Sequence, residues 1–178
     1  MILWLNGPHG VGKSSVARRL LRMGPGRRLF DPERIGRALL QRHAGERPDD
    51  FKALPAWREQ TVAALRTAHD RSPLPTVIVP MTLTDPDHHA EIIGALRRDG
   101  IVVCHVTLAA QPETLRGRIA GRIDWPRSKR WAMARVDEGA AAVTGDLFAP
   151  HVWTDELSLR EVAEAVERHV RAATPPRS

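Results

Sequence analysis

Residues Gly7-Pro8-His9-Gly10-Val11-Gly12-Lys13-Ser14 constrain this chain more than any other segment. They match the spacing Gly-x-x-x-x-Gly-Lys-Ser/Thr, whose glycines let the backbone curl and turn successive N–H groups inward toward an anion. An apolar run, Ile2-Leu3-Trp4-Leu5-Asn6, precedes the loop. After it, Val16, Ala17, Leu20 and Leu21 recur at helical spacing over 13–23. Strand, glycine loop and helix in that order bring the positive end of a helix to the same point. Gly7, Pro8, His9, Gly10, Val11, Gly12, Lys13, Ser14 and Ser15 are therefore expected to hold ATP. Lys13 would reach the β- and γ-phosphates, and the Ser14 hydroxyl would bind Mg2+. His9 occupies a freely variable position and reads either as a phosphate donor or as an ordinary loop residue.

The rest of the chain alternates strand-like and helix-like segments. Leu29-Phe30 reads as a short second strand delivering Asp31, and 76–79 (Thr-Val-Ile-Val) reads as a central strand between prolines. Strands are expected over 101–108 and about 151–154, and helices over 33–43, 56–70, from Asp85-Pro86 to Gly100, and from Pro112. Ser158 and Glu161 form a capping-box pattern ahead of a closing helix. The alternation predicts an α/β fold of three layers: a central, mostly parallel five-stranded sheet with helices on both faces. Ligands then bind at the carboxyl ends of the strands. One domain is expected over 1–173, with a polar, basic, mobile lid loop at about 121–131 and a frayed tail at 174–178.

Composition narrows the class. The formal charge is +6, carried almost wholly by arginine, with lysine only at positions 13, 52 and 129. The exception at position 13 puts a flexible point charge where phosphate chemistry uses one. A basic chain suits an anionic ligand, but no interleaved aromatics or nucleic-acid motif accompany the charge, so no nucleic-acid partner is expected. No apolar run is long enough for a membrane helix, and the N-terminus lacks the pattern of a signal peptide, so a cytoplasmic location is expected. The single cysteine, Cys104, lies in an apolar run and reads as a buried, inert thiol.

Two further segments carry candidate chemistry. Asp31, in Phe30-Asp31-Pro32-Glu33, would lie beside the phosphates. It could orient Mg2+-bound water or take a proton from a substrate hydroxyl, with Glu33 hydrogen-bonding the substrate. The same Asp-Pro-Glu is also good helix-start chemistry, and both readings stand. Arg118 and Arg122 are four apart and share a helical face, which could present one guanidinium to the adenine plane and one to the transferring phosphate.

Together these segments resemble the small-molecule and nucleoside-monophosphate kinases, such as adenylate, shikimate and chloramphenicol kinases, in which a lid arginine closes over the γ-phosphate. One departure stands out. Many such kinases end the third strand in a magnesium-holding aspartate, whereas this one continues Pro80-Met81-Thr82.

A more specific likeness is to the bacterial tunicamycin-resistance protein family. It runs through MILWLNGPHGVGKS, FDPERIGRAL, Leu54-Pro55-Ala56-Trp57-Arg58, VIVPMTLTDP, HVTLAAQPETLRGRIAGR and HVWTDELSLREVAEAV, nearly all of residues 1–170. The resemblance implies ATP-dependent protection against a nucleoside antibiotic, by phosphorylating it or by sequestering it. Tunicamycin combines a uracil nucleoside, sugars and a fatty acyl chain. Within this likeness Trp57 and Arg58 fall on the helix expected to face the acceptor, and Trp57 reads equally as a core residue. Met81 and Thr82 would line the same pocket. No membrane anchor is expected.

Overall fold

The computed structural model describes residues 1–46, 48–70, 76–123 and 125–174. Its strands are β1 (Ile2–Asn6), β2 (Arg27–Leu29), β3 (Thr76–Pro80), β4 (Val103–Ala109) and β5 (His151–Trp153). They form one sheet in the order β2-β3-β1-β4-β5, with every pairing parallel. The helices are α1 (Lys13–Arg22), α2 (Glu33–Arg42), α3 (Pro55–Asp70), α4 (Pro86–His89), α5 (Ala95–Arg98), α6 (Pro112–Ala120), α7 (Pro126–Met133), α8 (Val136–Ala142) and α9 (Leu159–Ala173). A π-helical stretch, Ala90–Gly94, joins α4 to α5 without a break.

The central strand explains the three layers. All of β1 is buried, and its side chains alternate between two cores. Leu3 and Leu5 join Val16, Leu20, Leu115 and Val166 on the face covered by α1, α6 and α9. Ile2 and Trp4 join Trp57, Leu65, Ile92 and Leu96 on the face covered by α3 and the 86–98 helix. Fully burying one such aliphatic side chain contributes about 1.5–3 kcal/mol, so both faces anchor the strand that delivers the glycine loop. Cys104 lies in the first core, and burial pushes its thiol up to about 11, which keeps it an unreactive thiol.

Local chemistry sets the helix starts. Asp85 Oδ1 accepts from Asp87 N at 2.8 Å, with Pro86 in the first turn. Ser158 and Glu161 form the reciprocal capping box, at 3.3 and 2.8 Å.

Three expectations change. Residues 126–133 are the helix α7 rather than part of a loop, because Pro126 opens it and Ala132 is buried while Trp131 and Met133 pack on the first core. Helix α8 escapes the sequence reading because its Val136-Asp137-Glu138-Gly139-Ala-Ala-Ala stretch carries one large apolar residue and no period. The second strand ends at Leu29, although Phe30 N still donates to Ile78 O at 2.9 Å. The expected frayed tail lies, from residue 175 on, outside the described residues.

Candidate functional site

The carboxyl ends of β1 and β3 open into a cleft of about 630 Å3. Its floor is the glycine loop. Gly7 and Gly12 have φ of +136° and +101°, left-handed backbone that favours glycine. The two positions differ in space. A Cβ on Gly7 would lie 2.4 Å from the Leu108 carbonyl oxygen, whereas one on Gly12 would meet nothing within 4 Å. Gly12→Ala is thus expected to cost about 1–2 kcal/mol in urea unfolding, from φ alone, and Gly7→Ala clearly more because β4 backbone stands in the way. Equal losses would show that φ, not the approach of β4, sets the requirement.

The loop after β3 is clamped to this floor. Asn6, fully buried at the end of β1, donates from Nδ2 to Leu83 O at 2.9 Å and accepts from Leu83 N at 2.7 Å. Trp4 Nε1 donates to Met81 O at 3.2 Å, and Thr82 Oγ1 donates to Gly7 O at 2.8 Å. Met81 and Thr82 are buried yet line the cleft.

Lys13 lies at the centre. Its ammonium donates to Gly7 O at 2.7 Å and Pro8 O at 2.9 Å. Burial pushes its pKa down to about 7; Lys52 and Arg122 add to this and Glu33 opposes it. His9 sits edge-on to Trp131, with ring centroids 4.9 Å apart, and Arg135 lies 4.1 Å from the centroid of the Trp131 ring. Burial, then Lys13, Lys52, Arg122 and Arg135, bring the His9 pKa down to about 3. Both shifts come first from burial, and the neighbouring cations that add to them make the cleft favourable for an anion.

The arginines take different positions. Arg118, on α6, donates from Nη1 to Thr154 Oγ1 at 2.8 Å and from Nη2 to Thr154 O at 2.7 Å, which ties α6 to the end of β5. Helix α6 ends at Ala120, so Arg122 lies past it and does not share a helical face with Arg118 as expected, yet both line the cleft. Ser14 and Ser15 line it from the first turn of α1.

On the acidic side the two readings of Asp31-Pro32-Glu33 separate. Glu33 lines the cleft and Asp31 does not. Asp31 Oδ1 accepts from Glu33 N at 3.0 Å and its Oδ2 meets Arg37 at 3.2 Å, so it caps the start of α2. Arg37 also reaches Glu33 at 3.1 Å and orients both carboxylates. Of the two readings of Trp57, acceptor contact or core residue, the structure shows the second: it is 0 % exposed, donates from Nε1 to Pro32 O at 3.0 Å and packs on Phe51. It therefore supports the Asp31-Pro32-Glu33 turn from behind. Arg58 is buried as well, and joins Glu91 at 2.5 Å to the Lys52 carbonyl at 2.8 Å. Neither Trp57 nor Arg58 lines the cleft, because the face of α3 that carries them packs on the core.

Sequence reasoning missed the part of the cleft wall formed by Asp49, Asp50, Phe51 and Lys52, a segment packed against α2 through Phe51 and Gly36. Asp50 caps the turn by accepting from Lys52 N at 3.0 Å and pairs with Lys52 Nζ at 2.8 Å. The available signal was the rarity of lysine: Lys52 is one of three in a chain otherwise charged by arginine.

The fit for a metal is partial. Among the described residues no group of three or more His, Cys, Asp or Glu side chains converges, and β3 and the Met81-Thr82 that follow it carry no acid. The Ser14 hydroxyl at the cleft suits Mg2+ carried in on phosphate oxygens, not an ion held by the protein alone.

Comparison with known proteins agrees with this geometry. A family described as an AAA domain matches residues 2–146. No curated protein sequence matches the chain. Among solved structures, the tunicamycin resistance protein of Deinococcus radiodurans is 29 % identical with a TM-score of 0.78, over 95 % of this chain and 94 % of that one. A sugar kinase from Janibacter sp. HTCC2649 (14 % identity, TM-score 0.67, 98 % of each chain) shares the fold. So does the shikimate kinase of Bacteroides thetaiotaomicron, with 15 % identity, TM-score 0.61 and 97 % of each chain. The sheet order and the loop after β1 are those of a P-loop kinase fold, and among the described residues no helix is long and apolar enough to cross a membrane.

Proposed function

This chain belongs to the AAA-domain family matched over residues 2–146, and from that premise we propose that it is an ATP- and Mg2+-dependent small-molecule phosphotransferase. The acceptor hydroxyl belongs to a nucleoside antibiotic such as tunicamycin, and its modification confers resistance. One observation supports this most: Lys13, Arg118 and Arg122 line one cleft above the glycine loop together with Glu33, the acid at the start of α2, while Lys52 lines it paired to Asp50.

The residues divide the work by charge. Loop N–H groups and the start of α1 cradle the phosphates, and Lys13 follows charge onto the oxygens of the transferring group. Mg2+, held by Ser14 and phosphate oxygens, supplies charge neutralisation when bound. Arg122 covers the γ-phosphate from the far side, while Arg118, fixed on Thr154, faces the nucleotide end. Glu33 accepts the proton from the acceptor hydroxyl as its oxygen bonds to phosphorus and the bond to the leaving diphosphate breaks. Asp31 positions Glu33 through the Glu33 N–H and the shared Arg37.

The test is incubation with ATP, Mg2+ and tunicamycin, followed by weighing the drug. A gain of one phosphate group is the expected result. Glu33→Gln is expected to lower kcat by about 100-fold or more with nucleotide affinity kept, and Asp31→Asn by about 10-fold. The reverse order would make Asp31 the base.

A second reading, nucleotide-ordered sequestration without transfer, draws on the lack of an acid from Val77 to Thr82 at the end of β3. An unchanged drug mass with the drug retained on the protein would select it.

A further inference from the structure

Behind His9 lies a second, smaller cavity of about 110 Å3, bounded by Pro8, Thr84, Arg135, Glu138 and Gly139. His9, Asp50, Lys52 and Thr82 line both spaces, so the two compartments share one wall. We propose that this annex binds a neutral, polyhydroxylated ring of the acceptor, a sugar-like unit next to the one that reacts. The proposal rests on the reading that an acceptor occupies the main cleft.

The chemistry of the lining decides the class. Lys52 and Arg135 bring donors, Asp50 and Glu138 bring acceptors, and the Thr84 hydroxyl does both. Lys52 is already balanced by Asp50 at 2.8 Å, and Arg135 lies over Trp131 at 4.1 Å. Two cations against two carboxylates offer no surplus charge to a second phosphate, which would face Asp50 and Glu138. An acyl chain would take water from four charged groups, Glu138 among them, and from the Thr84 hydroxyl, and offer them no hydrogen bond in return, at high cost. Vicinal hydroxyls can satisfy donors and acceptors at once, and the volume suits one ring, not a chain of them. An acceptor that fills both compartments is thus longer than a simple nucleoside, and the annex sets specificity by reading its neighbouring unit.

Two variants alter the annex without touching the main cleft. A Cβ on Gly139 would lie an ordinary 3.5 Å from Pro8 Cβ, so Gly139→Leu fits helix α8 and extends a side chain into the compartment. Glu138→Gln removes one acceptor charge from an exposed position and guards against misfolding of the first variant. Tunicamycin and uridine are titrated calorimetrically into each protein with Mg2+ and a non-hydrolysable ATP analogue. Tunicamycin affinity is expected to fall by about 10-fold or more in both variants, while uridine and nucleotide binding change by less than about 2-fold. Tunicamycin binding that both variants keep overturns the annex alone. A wild type that takes up no tunicamycin overturns the acceptor reading itself, and the annex with it.

Discussion

Replacing Lys13 by methionine is expected to abolish useful nucleotide binding and to leave the fold standing. The ammonium is buried beside Lys52 and Arg122, with Glu33 as the opposing charge, and its donors rest on the Gly7 and Pro8 carbonyls. Burying a cation without a matching anion is costly, so its removal takes little from the unliganded protein. The expected shift in Tm is at most about 3 °C, in either direction. Nucleotide affinity is expected to fall by about 100-fold or more, near 3 kcal/mol, because the charge-assisted bonds to the β- and γ-phosphates go with it. Retained affinity in Lys13→Met would remove the basis of the proposed function.

The same residue sets a pH dependence whose sign is fixed. Without an anion Lys13 titrates at about 7; phosphate oxygens against it raise that value. Between the two values binding takes up a proton from solvent. Affinity therefore declines as pH rises above about 7, by up to about one decade per unit, and this group contributes no slope below it. Calorimetry in two buffers of different ionisation enthalpy reads the proton directly. A binding enthalpy that does not change with the buffer above pH 7 would rule Lys13 out as the group that takes up the proton.

The second large effect is acid instability centred on His105. This imidazole, on β4, is 4 % exposed; its centroid lies 5.0 Å from that of His89, with Phe148 against both rings. The Nε2 atoms of both histidines are buried with no hydrogen-bond partner. Burial holds the His105 pKa down to about 3, helped by His89, Arg97 and His151 and opposed by the Ala149 backbone. Because the folded value lies below the ordinary 6.5, the unfolded chain binds the proton first. The stabilisation is complete above about pH 6.5 and is lost as pH falls toward 3. Over that window the loss is on the order of 4 kcal/mol, of which roughly 2 fall by pH 5. His9 titrates low for its own reasons and adds to the same limb. Urea unfolding at pH 7.5 and 5 should show His105→Phe losing about one proton's worth of this slope while wild type keeps it. An identical slope in both proteins would place the acid sensitivity elsewhere.

Some of this architecture was legible in the residues themselves. The loop Gly7–Ser14 could be placed because its signal is local: glycine spacing, one lysine and an apolar strand ahead of it. The limits of β1 and the start of α6 at Pro112 follow from signals a few residues long, and the parallel sheet follows from the alternation of such segments. Helix α7 was not legible, since a basic, punctuated stretch becomes helical only when Trp131 and Ala132 find the first core.

The candidate site divides along the same line. Asp31 and Glu33 are two residues apart and chemically alike, so spacing alone allowed either to face the phosphates. Helix α2, started by the Asp31 carboxylate and backed by Trp57, turns Glu33 to the cleft and leaves Asp31 as the cap. Lys52 is held at the cleft by Asp50, which takes its N–H and its ammonium, and by Arg58, which is anchored on Glu91 and holds its carbonyl. The sequence by itself determined the phosphate loop and the layered α/β plan, because those are written in contacts between near neighbours. Which carboxylate, which tryptophan and which lysine belong to the cleft was decided by packing between segments far apart in the chain, and no short-range pattern encodes that.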